Sequence, residues 1–424
     1  MLLTETVEAH EPVKANGAPR GESKVRAGKP PLWLFLMALG SLPVILLFAM
    51  DIRDLDGPFM VSGHIWGRDF VNVWTGGRLV VEGRSDLIYA FNDYVAYQQQ
   101  HVGPLKPHYY SYPPSSLFLV APFGLMPYFA ALTVWLVGSL ALFLWAARPY
   151  VKEVPHFPLF LAALTPAATV NIWAGHYGFL VGALWLACFA HVKREPGRAG
   201  IFAALLTIKP HLGLLIPPIL LARRAWRTIA VAAAGALALV AVSGAVFGFD
   251  MWLDYLTKMS RFQAGLLEDK GSFFMSMMPG TFVSMRYTMH SGDVVAWIAH
   301  LVVAASALFL CWRAERKRAG LHDLAFIAAT ATFLILPYAF NYDMTVVSLG
   351  FALILFRQWD RLSFWEAAAL IAGFLSPQLT FTGRLVGFPV APAVLLIGLY
   401  FQVRLCRPDT GRALPPASLA TAPS

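Results

Sequence analysis

Apolar runs of near membrane-crossing length recur along this chain from Leu32 to Val403, with basic residues collected at every second connection between them. That alternation is the pattern of a chain threaded back and forth through lipid. Spans are predicted near Leu32–Met50, Ser116–Ala146, Phe157–Val170, Phe179–His191, Thr228–Phe247, Asp293–Cys311, Leu324–Pro337, Met344–Phe356, Phe364–Leu375 and Leu385–Val403. Between them, Ala199–Ile208 and Leu212–Leu221 are each about half the roughly twenty residues a crossing helix needs. They predict a short hairpin, kinked or re-entrant. With 58% hydrophobic and 13% charged residues, the chain has too little polar surface for water to be its main solvent. The expected fold class is therefore all-α, a polytopic transmembrane helical bundle of about 10–12 spans.

The basic clusters Arg148/Lys152, Lys193/Arg194/Arg198, Arg223/Arg224/Arg227, Arg313/Arg316/Lys317/Arg318, Arg357/Arg361 and Arg404/Arg407 mark their connections as cytoplasmic. Both termini fall on that side, as tails over 1–30 and 405–424, flanking a membrane domain over 31–404 in the inner (plasma) membrane. The first run reads as an uncleaved helix, because its basic leader is long and no small-x-small site precedes Asp51. The net charge of +9 is dispersed among the spans, which argues against a nucleic-acid partner. Cys188, Cys311 and Cys406 make no disulfide framework or metal pair. The outward connections are long and aromatic, notably 51–115 and 249–292, and loops of that size carry function. A transporter would instead bury ionisable groups in corresponding places of two repeats, and no such repeat is visible.

Nearly all the candidate site residues fall on outward segments. Asp69 precedes Phe70, Val73, Trp74 and Gly77, a helical apolar spacing that ends at Gly83. Two readings are open for it: an N-cap whose carboxylate accepts backbone N–H bonds, or a general base beside an acceptor hydroxyl. His108-Tyr109-Tyr110-Ser111-Tyr112-Pro113-Pro114 reads as an interfacial aromatic belt in which His108 is a further candidate. Asn171 to Gly178 forms a short outward turn containing His176. Lys209, in Ile208-Lys209-Pro210-His211, sits between two apolar arms, where an ammonium is costly unless it reaches water, carbonyls or an anion such as a lipid phosphate. Arg286, and more weakly Arg261 and Lys270, are candidate phosphate contacts, and Asp343 either caps the next span or joins the site. No CxxC, HExxH, Walker or GxGxxG pattern is present, so cofactor-free and metal-free group transfer stays open chemically.

Taken in order, Arg68-Asp69-Phe70 with Gly83 and Tyr89, Tyr112-Pro113-Pro114, Gly175-His176-Tyr177-Gly178, Ile208-Lys209-Pro210-His211-Leu212-Gly213, Phe282 to Arg286, and Pro337-Tyr338 with Tyr342-Asp343 resemble glycosyltransferase family 87, within the GT-C class. The resemblance implies an inverting enzyme that moves a hexose or pentose, mannose-like by family, from a polyprenyl-phosphate-linked sugar donor. The acceptor would be a glycan or glycolipid on the extracytoplasmic side. Asp69 would be the base; Lys209, His211 and Arg286 would hold the donor phosphate; Arg68, His108, Tyr112, Asn171, His176 and Asp343 would complete the site. The sequence departs from the family at His176 and His211, where relatives commonly carry glutamine. A histidine pair could bind phosphate when protonated, or simply replace glutamine as a hydrogen-bonding side chain. The competing classes are a transporter or flippase of a lipid-linked sugar, which would not need Asp69, and an inactive scaffold.

Overall fold

A computed structural model describes residues 32–53, 57–268 and 273–409. The expected tail over 1–30 and the part of the other tail beyond Asp409 lie outside them, as does Lys270. The described chain is helical, with only isolated bridges at Phe59–Ile65 and Ala319–Pro408. Four helices are long and apolar enough to cross a bilayer: α1 (Leu32–Asp51), α5 (Tyr128–Val151), α10 (Trp226–Phe247) and α14 (Asp293–Arg316). In chain order the helices between and after them are α2 (Phe70–Val81), α3 (Phe91–Val102), α4 (Leu117–Gly124), α6 (Pro166–Ala174), α7 (Gly178–His191), α8 (Pro196–Leu205), α9 (Ile216–Ala222), α11 (Phe249–Asp254), α12 (Ser260–Glu268), α13 (Thr281–Met289), α15 (Leu321–Ile335), α16 (Thr345–Gln358), α17 (Phe364–Leu379), α18 (Gly383–Val386) and α19 (Val390–Leu405).

The long and short apolar helices differ in what surrounds them. On α10 and α14, Leu237, Val246, Val294 and Leu301 stand largely exposed, a surface suited to acyl chains. On α7, α15 and α16 almost every residue is buried, so these helices are apolar all round because protein encloses them. Each is too short to cross alone, and irregular backbone adjoins them, at 175–177 before α7 and over 336–344 between α15 and α16. Such backbone is tolerated at depth only where protein or a cavity meets its polar groups.

Where runs were expected to be continuous, proline breaks them. The run Ser116–Ala146 divides into α4 and α5 at 125–127, because Pro127 lacks an N–H and disfavours helix before it. The carbonyl of Met126, released there, accepts from the Trp74 indole at 2.9 Å and ties α2 to the break. Phe157–Val170 divides likewise into a 3-10 stretch, Leu159–Leu164, and α6, with Pro166 opening the helix. The half-length pair becomes α8, a bend of 3-10 turns around Lys209, and α9, with α8 packed along α7 and α10. The second long connection, expected to face outward, is largely structured among the described residues: 249–292 carries α11, a π-helical turn Tyr255–Met259, α12 and α13.

Cross-links sort the connections into two ends. At one end Glu153 accepts from His322 and Arg407, Asp323 from Arg357 and Arg407, Lys193 pairs with Asp409, and Arg223 holds Glu315. At the other, Asp69 N–H donates to Ala174 O, Lys209 pairs with Asp343, and Asn341 donates to Pro377 O.

Candidate functional site

The site begins with two turns docked against each other. Gly67 and Arg68 both have left-handed backbone, φ 82° and 42°, immediately before Asp69. For arginine that conformation is strained, and strain of this kind persists only where surroundings over-determine it. Here the Arg68 guanidinium reaches Asp51 at 3.1 Å and Ser62 at 3.2 Å and lies 4.0 Å over the Trp173 ring. The opposing turn has Gly175 at φ 64°, and a Cβ on it would sit 2.2 Å from Gly67 O. Only glycine allows that approach, which lets the Asp69 N–H bond Ala174 O at 3.0 Å. Behind Asp69, α2 touches α4 backbone to backbone: a Cβ on Gly77 would meet Val120 O at 2.3 Å.

Asp69 occupies the N-cap position of α2, but its side chain accepts no capping hydrogen bond. The carboxylate is 17% exposed and lines a cavity of about 230 Å³. Around the same cavity stand His108, Tyr112, His176, Lys209, His211 and Asp343. Residues from five separate stretches of sequence thus meet at one place.

Lys209 is held in an extended break between the two 3-10 turns, φ −135°, with Pro210 preventing helical continuation. Its ammonium donates to both oxygens of Asp343, at 2.7 and 2.9 Å, and to His176 Nδ1 at 3.2 Å. Tyr112, Tyr177 and Tyr342 place their rings within 6 Å of the ammonium, a cage that offsets part of its desolvation. The anion that balances this buried cation is therefore Asp343, which caps nothing. Because Nδ1 of His176 accepts from an ammonium, its ring proton lies on Nε2 and is shared with the Tyr112 hydroxyl at 2.8 Å. That neutral form does not supply the cationic phosphate contact expected of a protonated histidine. The His176 ring stacks on Tyr342 at 3.9 Å, and Tyr342 on Phe340 at 5.0 Å.

Three expected site residues line no part of the cavity. Arg68 turns to Asp51 and Trp173. Asn171 is buried, its Oδ1 accepting from Gly178 N–H at 2.9 Å, and so shapes the turn that presents His176. Arg286, buried on α13, pairs with Asp293 at 2.9 Å. The tyrosines expected to form an interfacial belt are interior instead: Tyr110 bonds Ser116, and Tyr112 O accepts from Tyr89. Residues not singled out in the sequence also line the cavity, among them Asn72, Tyr255 and Phe262, beside Tyr338 and Phe340 of the stretch that leads to Asp343. For Asn72 the signal was present: it lies three residues after Asp69 on the same helix face. Its Oδ1 accepts from Gln98 and Tyr94, which orients the side chain.

Near Asp69, burial pushes His64 down to about 3, with the Arg68 charge adding to the effect. Burial also pulls His108 below its ordinary value, against the upward pull of the Asp69 charge. Among the described residues no group of three His, Cys, Asp or Glu side chains is placed to hold a metal ion.

Residues 110–337, more than half of the chain, match glycosyltransferase family 87. No curated protein and no solved structure matches the chain. The matched range holds Tyr112, His176, Lys209 and His211, whereas Asp69, His108 and Asp343 reach the same cavity from outside it.

Proposed function

Since the chain belongs to glycosyltransferase family 87, and is a membrane glycosyltransferase on that ground, we propose that it transfers a sugar from a polyprenyl-phosphate donor to a glycan or glycolipid acceptor, with Asp69 as general base. The observation that carries this reading is the Asp69 carboxylate itself. It stands where a helix N-cap should, takes no capping bond, and opens into the cavity that also holds Lys209. Free of a capping bond, its oxygens are open to an acceptor hydroxyl in the cavity.

The reaction needs little from the protein beyond placement and charge. The acceptor O–H loses its proton to Asp69 as oxygen attacks the anomeric carbon, and the bond from that carbon to the phosphate oxygen breaks. The leaving lipid phosphate is already a stabilised anion, so aligning the reactants and meeting the departing charge are the main tasks. Lys209 supports the second task, but its three N–H bonds are committed. The longest, to His176, is the one a phosphate oxygen replaces at least cost, leaving Asp343 to hold the ammonium in place. The aromatic lining from Tyr338 to Tyr342 offers faces for a sugar ring. The positive-inside pattern supports a cavity on the extracytoplasmic face of the inner membrane, because Lys and Arg are spread thinly along the connections lining it and concentrated in the short ones at the opposite end.

The test is transfer of radiolabelled sugar from short-chain polyprenyl-phosphate donors by purified wild type and Asp69→Asn, with donor binding measured in parallel. Transfer should fall by about 10²–10⁴ in the variant, the usual worth of a general base, with donor binding kept. Equal transfer by both proteins sinks the assignment of Asp69.

A further inference from the structure

The geometry points to a proton relay: we propose that His108 receives, through Nε2, the proton that Asp69 takes from the acceptor hydroxyl. This rests on Asp69 being the base.

The tautomer of His108 is fixed by its surroundings. Nδ1 lies 2.7 Å from the Lys106 carbonyl oxygen, which can only accept, so Nδ1 carries the ring proton. Neutral His108 therefore has a bare lone pair on Nε2. That nitrogen is buried without a hydrogen-bond partner in a residue only 4% exposed, and Asp69 Oδ1 stands 3.7 Å from it. A lone pair facing a carboxylate across that gap is unfavourable, and a buried unsatisfied nitrogen is costly. Both defects vanish when one proton lies between the two groups. The pair is thus arranged for the state that follows acceptor deprotonation.

The other charges around His108 fit the same role. His64 meets its ring edge-on at 5.2 Å and, pushed down to about 3 chiefly by burial, adds no competing charge at neutral pH. Arg68 opposes an imidazolium, yet its guanidinium is held by Asp51 and Ser62. Lys106 contributes its carbonyl to Nδ1, and Asp69 is the one charge that favours protonation. The acceptor O–H bond breaks and oxygen bonds the anomeric carbon, while the carbon–phosphate oxygen bond breaks with its electron pair leaving on the lipid phosphate. The proton moves from the hydroxyl to Asp69 and on to His108 Nε2, leaving Asp69 ionised. His108 lines the cavity and returns the proton to water after the products leave.

His108 acts through Asp69, so it is a positioning residue whose test must exceed loss of activity. In full-length protein labelled at histidine with ¹⁵N, the His108 signal is assigned by its disappearance in His108→Asn, whose amide keeps a donor for Lys106 O. At neutral pH the proton should lie on Nδ1 with Nε2 bare, and Asp69→Asn should lower the titration midpoint. A proton on Nε2, or a midpoint unmoved by Asp69→Asn, overturns the relay without any donor being needed. In transfer assays with short-chain hexosyl polyprenyl phosphate, His108→Asn should lower kcat by about tenfold or more with donor KM unchanged. It should also remove the acid-side fall in rate expected of wild type as His108 becomes protonated. His108→Gln, which cannot serve as the base either, should behave alike and covers the case in which the first variant is unstable. Wild-type kcat and pH profile in a folded His108 variant, with Asp69→Asn inactive, overturn the relay and leave the base standing; transfer by Asp69→Asn overturns both.

Discussion

The two ends of the bundle treat charge in opposite ways. At the end rich in Arg and Lys, acids and bases meet as shared pairs: Arg407 contacts both the half-exposed Glu153 and the buried Asp323, which also accept from His322 and Arg357. Beside the cavity, Lys209 and Asp343 are both buried, bonded to each other and walled by aromatic rings. In the first arrangement the loss of one partner costs little, because a second partner or water remains to meet the group left behind. The second leaves an uncompensated buried charge when one member is removed. Redundant shared pairs suit a fastening, whereas a sparse buried pair suits a site where a charged substrate is to be met.

The contrast is broken most sharply at Asp343. Asp343→Ala should lower stability by about 3–5 kcal/mol, the usual cost of stranding a buried partner, read as a fall in the thermal midpoint of detergent-solubilised protein. The double variant Lys209→Met/Asp343→Leu should recover most of that loss, because an apolar pair of similar volume fits the same space. It should transfer no sugar. If the double variant is as unstable as the single, the pair is not the isolated buried charge described here. If it keeps wild-type transfer, Lys209 has no part in donor binding.

A smaller effect is expected at Arg68, which lies at the cavity end yet faces away from the cavity. Arg68→Ala removes a part-buried ion pair with Asp51 and a close stack on Trp173, together worth about 1–3 kcal/mol. It also releases the constraint on the strained turn that aims Asp69. The expected signature is a lower kcat with donor affinity retained. An unchanged kcat in a destabilised protein would mean that the turn holds its shape through Gly67 and Gly175 alone.

Much of this architecture was legible in the sequence, and the exceptions have specific causes. Uninterrupted apolar runs matched α10, α14 and α16 within a few residues, because there composition and length agree. Breaks at Pro127 and Pro166 lay inside apolar runs, where hydropathy sees no change but the missing N–H divides the helix. Asp69 was legible as the first residue of a helix, but whether its carboxylate caps that helix depends on a turn more than a hundred residues away, at Ala174. Lys209 was legible as a cation needing an anion. That Asp343 supplies one is a tertiary fact that no local pattern encodes. Arg286 reads as a free fork in the sequence, and Asp293 meets it only because α13 and α14 fold back together.

The smallest effect belongs to the exposed end and completes the comparison. His322 and then Arg407 donate to the Glu153 carboxylate, and together they hold it down to about 2 from an ordinary 4.5. A depressed acid stabilises the fold above its unfolded value and loses that contribution as pH falls through its folded one, so the window runs from about 4.5 down to about 2. Solvent screens this half-exposed group, which limits the contribution to about 0–1 kcal/mol. Glu153→Gln should therefore shift the thermal midpoint slightly at neutral pH, the gap from wild type should close as pH is lowered through that window, and transfer should be unchanged throughout. A large, pH-independent loss of stability would show that this end, too, relies on single buried contacts, and a loss of transfer at constant stability would mean that the two ends are energetically coupled.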